Sequence, residues 1–317
     1  MEQSRFGSLP TRLAVALVAI PLIVGASMFG SYVFFGFVAL ISGIALYEFY
    51  TLAEKKGAYP LKAFGLAAGF VINSAFMYER IQVELFSFFE ARGIRLSMFS
   101  QLQFLLVVLL VFVLLVLLIE LFRTKGSPTL NASTTIFGVT AISLFFGTLI
   151  SLRELFPYGF PVSKFFQVGF ADDMQLAMIS RWGGYTIVSL FATIWICDTA
   201  AYFGGLTLGR HRLFEKVSPK KTWEGAIFGF VAALLSMLAA RSLVLEYLRI
   251  QDALVIGAIV GVFGQLGDLV ESRFKRDAGV KDSSALIPGH GGVYDRFDSL
   301  VFVAPIVYLY IDFVVLS

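Results

Sequence analysis

Apolar residues run along this chain in long blocks rather than in alternation with polar ones. The clearest block is "FLLVVLLVFVLLVLLIELF", Phe104 to Phe122. A helix that crosses a bilayer needs about 20 mostly apolar residues. By that measure nine segments qualify, at about 12–30, 31–53, 61–79, 101–122, 133–152, 184–205, 224–241, 253–271 and 298–316. The third is diluted by Lys62 and Asn73. The first follows Arg5 and Arg12, as a secretory signal would. A second apolar run follows almost at once, which predicts a retained first helix. No fixed-period repeat and no low-complexity linker interrupts the series. The pattern predicts an all-α integral membrane protein, a polytopic helical bundle of about nine transmembrane helices forming one membrane domain over 1–317. Residues 1–183 supply about five spans and two outward loops. Residues 184–317 supply the remaining spans and the polar loops that carry the candidate chemistry.

Composition agrees and narrows the chemistry. Hydrophobic residues make up 58% of the 317 and charged ones 15%, against about 25% charged in soluble domains. The mean hydropathy is +0.82. Cys197 is the single cysteine, so an intrachain disulfide is excluded. With only His211 and His290 beside it, a His/Cys zinc cage is excluded in practice. A metal would have to sit on oxygen ligands.

Charge fixes the expected orientation. Nine spans put the termini on opposite sides. With the N-terminus inside, the inner segments carry 17 of the 25 Lys and Arg residues. Cytoplasmic loops of membrane proteins are rich in these residues, so N-in, C-out is predicted. Two polar loops, about 206–223 and 272–297, then face the cytoplasm. Two longer connections, about 80–100 and 153–183, fall outside. Their amphipathic and aromatic pieces, "VELFSFFEARGI" and "FPYGFPVSKFFQ", predict helices lying on the membrane surface. Small-residue spacings such as Gly65 to Gly69, Gly225 to Gly229 and Gly257 to Gly261 permit close helix packing.

Four acids stand in or against the late spans. Asp198 lies in "WICDTAAYFGG", Asp268 in "GQLGDLVESRFKR", and Asp295 and Asp298 open the last span. An acid in such a place is costly and marks either function or a paired charge. Gln265, Asp268, Ser272 and Lys275 or Arg276 recur at three- and four-residue steps, one face of a helix. That face reads equally as an inward-facing site or as an interhelical hydrogen-bond seam. Asp298 is placed to cap the ninth helix, and both Asp295 and Asp298 suit the positive end of its dipole. Two carboxylates three apart beside glycine-rich backbone are also a natural site for a hard cation such as magnesium.

The two inner loops add cations. In "GLTLGRHRLFEKVSPKKTWEG", Gly205 to Gly225, Ser218-Pro219 reads as a helix start with Ser218 as N-cap. Lys220 and Lys221 would then gather at a helix N-terminus, a plausible phosphate site. The alternative is positive-inside charge with headgroup contacts. No GxxxxGK[ST] phosphate loop occurs, which disfavours a Walker-type ATPase. His290 sits among Gly289, Gly291 and Gly292, where backbone can approach a ligand closely. His211 reads as a surface residue.

"SRFKRDAGVKDSSALIPGHGGVYDRFDSL", Ser272 to Leu300, resembles the phosphatidate cytidylyltransferase (CDP-diacylglycerol synthase) family. Ser272, Lys275, Arg276, Lys281, Asp282, Pro288, His290, Gly291, Gly292, Asp295, Arg296 and Asp298 match that family's pattern, with Ile287 before the proline. "DTAAYFGGLTLGR" and "SPKKTWEG" look like its other recurring elements. The resemblance is strong over about 185–317, and the first half agrees only in being a series of spans.

The resemblance implies synthesis of CDP-diacylglycerol and pyrophosphate from CTP and phosphatidate, without nucleic acid. It implies a Mg2+ requirement, with a monovalent cation such as K+ at the same centre. Asp268 and Asp295 correspond to the metal-binding acids, with Asp198 and Asp298 as further candidates. Lys275, Arg276, Lys281, Asp282 and Arg296 fall in the catalytic segment. Lys220, Lys221, Ser272, His290, Gly291 and Gly292 are the substrate and phosphate candidates. Family members are similar to homodimers, in a bacterial-type cytoplasmic membrane with the active site facing the cytoplasm. The alternatives are a CTP-dependent lipid kinase, a CDP-archaeol-type synthase and, in a different class, an ion-coupled transporter.

Overall fold

A computed structural model describes residues 9–93, 100–287, 289 and 291–317. Eleven helices and one short hairpin carry the chain. They are α1 (Leu9–Phe29), α2 (Ser31–Lys55), α3 (Lys62–Ala75), α4 (Tyr78–Glu90), α5 (Gln101–Phe122) and α6 (Pro128–Gly159). Then come α7 (Val162–Phe166), α8 (Asp173–Leu208), β1 (Arg212–Phe214), β2 (Ser218–Thr222), α9 (Trp223–Leu243), α10 (Ile250–Asp277) and α11 (Tyr294–Leu316). Helices α6, α10 and α11 contain π turns, and that of α10 spans Val260–Gly264.

Seven of these helices, α2, α5, α6, α8, α9, α10 and α11, are long and apolar enough to cross a membrane. Helix α1 contributes a shorter apolar stretch, Leu13–Phe29. Helix α3 has 14 residues, about 21 Å of rise against a hydrocarbon core of about 30 Å. Those two are what separate seven from the predicted nine.

Packing follows from which faces are apolar inward. Helix α6 lies at the centre, against α2 and α3 on one side and α8 and α11 on the other. Its Phe146, Leu149, Ile150 and Leu152 are wholly buried. Helix α8 pairs along its length with α9, which packs on α10, which packs on α11. Glycines permit the close pairs. A Cβ on Gly225 of α9 would stand 2.6 Å from the Ala201 carbonyl of α8, and one on Gly257 2.9 Å from Leu234 Cα. Helix α5 buries only Phe112, Val116 and Glu120, at four-residue steps, and turns Leu106, Leu110, Leu114 and Leu121 outward. An apolar surface of that extent marks a face for lipid or for another protein.

Loops predicted to share a side do lie together. At one end Lys56 meets Asp277 at 3.3 Å, Arg123 donates to the Tyr59 carbonyl, and the β1–β2 hairpin reaches α10. At the other end Arg80 holds Glu154 at 2.7 Å and Lys164 donates to the chain terminus at Ser317. Two details differ from the expected loops. Residues 173–183 are the first three turns of α8, capped by Asp172, whose Oδ1 accepts from Gln175 N while Gln175 returns the bond. Arg153, at the start of the connection predicted over 153–183, is buried and donates to the Ser27 carbonyl at 3.0 Å.

Candidate active site

Helix α10 supplies the first half of the site. Its π turn ends at Gly264, where the chain passes close to α11. π turns of this kind recur at functional sites. Gln265 Nε2 then donates to the Ala226 carbonyl of α9 at 3.1 Å and back to Gly261 at 2.7 Å. One turn on, Asp268 Oδ2 meets Lys221 Nζ at 2.6 Å and Asp268 Oδ1 accepts from Ser272 Oγ at 3.2 Å. The span predicted from the sequence, about 253–271, ends one turn beyond Asp268. The helix instead continues to Asp277, which leaves Asp268 two and a half turns inside.

Lys221 arrives from a strand, not from a helix start. Ser218–Thr222 pairs with Arg212–Phe214 as an antiparallel hairpin. Thr222 is the N-cap of α9, its Oγ1 accepting from Gly225 N at 3.2 Å. The expectation of Ser218 as N-cap with Pro219 in the first turn is therefore corrected. Side chains alternate across a strand, so Lys220 is exposed while Lys221 turns inward to Asp268. Two ammonium groups do not gather at the helix N-terminus as the sequence suggested. His211 is a surface residue, as expected, closing the hairpin on Glu224 at 2.6 Å.

The second half of the site is a network around Asp295. Lys275 Nζ, nearly buried, lies 2.6 Å from Asp295 Oδ1. Asp295 Oδ2 accepts from Ser283 N, Ser283 Oγ and Gly292 N at 2.9, 2.9 and 2.7 Å. Glu271 Oε2 lies 2.5 Å from the same ammonium, although the approach is not aligned as a hydrogen bond. Gly291 has φ +81°, and a Cβ there would come within 2.7 Å of Asp295 Oδ2. Both signature glycines thus have an intramolecular reason, the close approach of the loop backbone to carboxylates.

Helix α11 begins at Tyr294, four residues before the expected start, and Asp295 is in its first turn. Asp298 lies inside the helix and accepts from the neighbouring Ser299 N at 2.6 Å. Its assignment as N-cap is corrected. The N-terminal donors of α11 are taken instead by Glu48 of α2, through Val293 N and Tyr294 N.

Asp198, Asp268 and Asp298 form a second group in which the charge of one acid is felt by another, and Asp298 links it to Lys275 and Glu271 of the first. Lys221 and Arg296 also act on Asp198. Asp198 is exposed on α8. No group of three or more His, Cys, Asp or Glu side chains among the described residues is arranged to hold a metal ion. The donors nevertheless suit Mg2+, which takes oxygen ligands, needs few carboxylates and keeps waters and substrate phosphates in its shell. Asp268 and Asp295, expected to share a metal, are each engaged by a different lysine.

The remaining expected residues line the rim. Arg276 ties α10 to the hairpin, its Nε donating to the Val217 carbonyl at 3.5 Å. Lys281 and Asp282 are exposed on the loop and Arg296 on the first turns of α11. His290 and Pro288 lie outside the described residues, as does Arg5. Beside the site an apolar cavity of about 500 Å³ opens between α2, α6 and α10, lined by Phe49, Leu52, Phe137 and Phe274, with Lys56 and Asp277 at its rim. Sequence reasoning missed Glu48, Glu271, Ser283 and Ser284. For Glu48 a signal existed, since it falls in register with the buried stripe Val38, Ile41, Ala45, Phe49 and Leu52.

The chain matches the cytidylyltransferase family over residues 10–314. It is 33% identical to a Synechocystis phosphatidate cytidylyltransferase across 96% of this chain and 97% of the relative. It is 46% identical to the phosphatidate cytidylyltransferase of Staphylococcus haemolyticus and 45% identical to that of Staphylococcus saprophyticus, each over 124 residues. Those matches take in 39% of this chain and about half, 48%, of each staphylococcal relative. With the match running from α1 to α11, and with the signature segment folded around Asp295 between the last two helices, the chain belongs to the cytidylyltransferase family.

Proposed function

We propose that the protein transfers the cytidylyl group of CTP to phosphatidate, giving CDP-diacylglycerol and pyrophosphate, on the cytoplasmic face of a bacterial-type inner membrane. The observation that carries this reading is the meeting of Lys221 and Asp268 at 2.6 Å beside Asp198 and Asp298. Cations and acids alternate there at the end of the bundle where the basic loops gather. A polyphosphate needs such a place, since catalysis of phosphoryl transfer rests on positioning and on offsetting charge.

In this reading a phosphate oxygen of the lipid attacks the α-phosphorus of CTP. The bond from that phosphorus to the bridging oxygen of the β-phosphate breaks, and pyrophosphate leaves with its electron pair. No side chain need form a covalent intermediate. Lys221 and Arg276 hold the phosphates, with Lys220, Lys281 and Arg296 around the rim. Lys275 acts from beneath, keeping Asp295 and the loop in place. Asp268 would hold Mg2+ together with waters and substrate phosphates, Asp295 would join where Lys275 gives up Oδ1, and Asp198 and Asp298 would add negative charge nearby. Bound there, the ion would neutralise phosphate charge; a monovalent cation at the same centre is part of the reading. The cavity beside Phe274 suits an acyl chain entering sideways from the bilayer. Two copies of the chain make the assembled form.

The test is purified protein supplied with CTP, phosphatidate and Mg2+. Formation of CDP-diacylglycerol with equimolar pyrophosphate is expected. Release of CDP with phosphorylated lipid would replace this reading by a lipid kinase.

A further inference from the structure

We propose that Glu48 of α2 is a positioning residue, a cap supplied from a distant helix that fixes Ser283, Ser284 and the start of α11, and with them Asp295. It rests on the activity proposed above for its kinetic consequence only.

Glu48 is 3% exposed and faces four donors on its two oxygens, one of them a hydroxyl whose single proton it shares with Asp295. Oε1 accepts from Ser284 Oγ at 2.5 Å and from Val293 N at 3.1 Å. Oε2 accepts from Ser283 Oγ at 3.0 Å and from Tyr294 N at 2.7 Å. All four come from one segment some 240 residues away along the chain. Two of them are the amides that open α11. Helix N-termini leave such donors unsatisfied and favour a negative charge beside them. An ordinary cap comes from the residue just before the helix. Here that residue is Val293, which has no side-chain acceptor.

The arrangement also explains why the segment is shaped as it is. Gly292 presses its backbone on the carboxylate, and a Cβ there would stand 2.5 Å from Glu48 Oε2. Ser283 Oγ is shared between Glu48 and Asp295, at 3.0 and 2.9 Å. The acid of the second helix and the acid of the signature are therefore joined through one hydroxyl. Phe49, the next residue, packs its ring against Tyr294 and Phe274 at 6.5 and 6.0 Å. Residues 48 and 49 thus hold α11 and α10 in one register. Glu48 touches no reacting atom in this scheme; its effect passes through the loop.

The test uses the full-length protein in lipid nanodiscs as wild type, Glu48→Gln and Ser284→Ala. Hydrogen exchange is read at the Val293 and Tyr294 amides, and kcat and KM are read with CTP, phosphatidate and Mg2+. Glu48→Gln should speed exchange at those two amides by about tenfold or more and leave the α8–α9 pair unchanged. It should lower kcat by about 100-fold, as a small misplacement does, with KM for CTP within about threefold. Ser284→Ala should move both readouts the same way by less, and it carries the test if Glu48→Gln does not fold. Unchanged exchange in the variants overturns the cap. Faster exchange with unchanged kcat overturns the positioning role. A wild type that makes no CDP-lipid defeats the proposed activity instead, while the exchange data still decide whether Glu48 holds the loop.

Discussion

Lys221 Nζ stands 2.6 Å from Asp268 Oδ2, which binds the β1–β2 hairpin to the buried reach of α10. Both side chains keep about a third of their surface open, 27% and 34%. An ion pair so exposed to water adds little to stability, at most about 1 kcal/mol. Its cation is instead free to turn to an incoming phosphate.

Lys221→Ala should therefore separate activity from stability. Loss of one well-placed donor to a charged transition state costs roughly 100-fold or more in rate. We expect kcat/KM for CTP to fall by that order, with a thermal unfolding midpoint close to wild type. A variant that loses midpoint and activity together would show the pair to be a structural tie.

The acids divide into two groups, and their asparagine variants should divide likewise. Asp268→Asn and Asp298→Asn should weaken the Mg2+ dependence of CDP-lipid formation, read as a rise in the Mg2+ concentration at half-maximal rate. Asp295→Asn should also unsettle the fold, because it removes one of the two carboxylates beside the nearly buried Lys275 and the charge that Ser283 N and Gly292 N donate to. Chelation should abolish activity in wild type and added Mg2+ should restore it. Equal stability loss in all three variants would erase the distinction between the groups.

Gly292→Ala tests the packing of the signature loop on carboxylates. The added methyl would meet Glu48 Oε2 at 2.5 Å and crowd Ser283 as well. Overpacking of this kind costs about 1–3 kcal/mol. We expect a lower unfolding midpoint in detergent and lost activity. Gly279→Ala, at a φ of +71° with open space around it, supplies the control for backbone strain alone.

What the sequence made legible follows from how local each signal is. Twenty apolar residues in a row are a local fact, so α2, α5 and α9 could be placed to within a few residues. The acids of the late spans stood out for the same reason, each being costly where it lies. Partnership is not local. Glu48 looks like a lone acid in "LYEFY" until the fold brings Val293 and Tyr294 to it. Asp298 had the composition of a cap, but a carboxylate from α2 had already taken the donors. Ser218-Pro219 had the grammar of a helix start, and pairing of Thr222 with Arg212 made it a strand. The span expected from about residue 184 begins instead at Asp173, and Gly184 inside it packs on Met28 of α1.

The opposite end of the bundle offers the complementary experiment to Lys221→Ala. Arg80 Nε donates to Glu154 Oε2 at 2.7 Å, and the Glu154 side chain is only 6% exposed. Removing the arginine leaves a nearly buried carboxylate without its cation, a change that costs about 3 kcal/mol. The pair joins α4 to the central helix α6, so the loss should be felt by the whole bundle. Neither the Lys221–Asp268 pair nor the Asp295 network touches it. Arg80→Ala should therefore lower the unfolding midpoint in detergent while CDP-lipid formation per folded molecule stays near wild type at low temperature. Stability and turnover would then be lost separately by substitutions at the two ends. A turnover defect in folded Arg80→Ala would instead show that the far end of α6 is coupled to the site through α11.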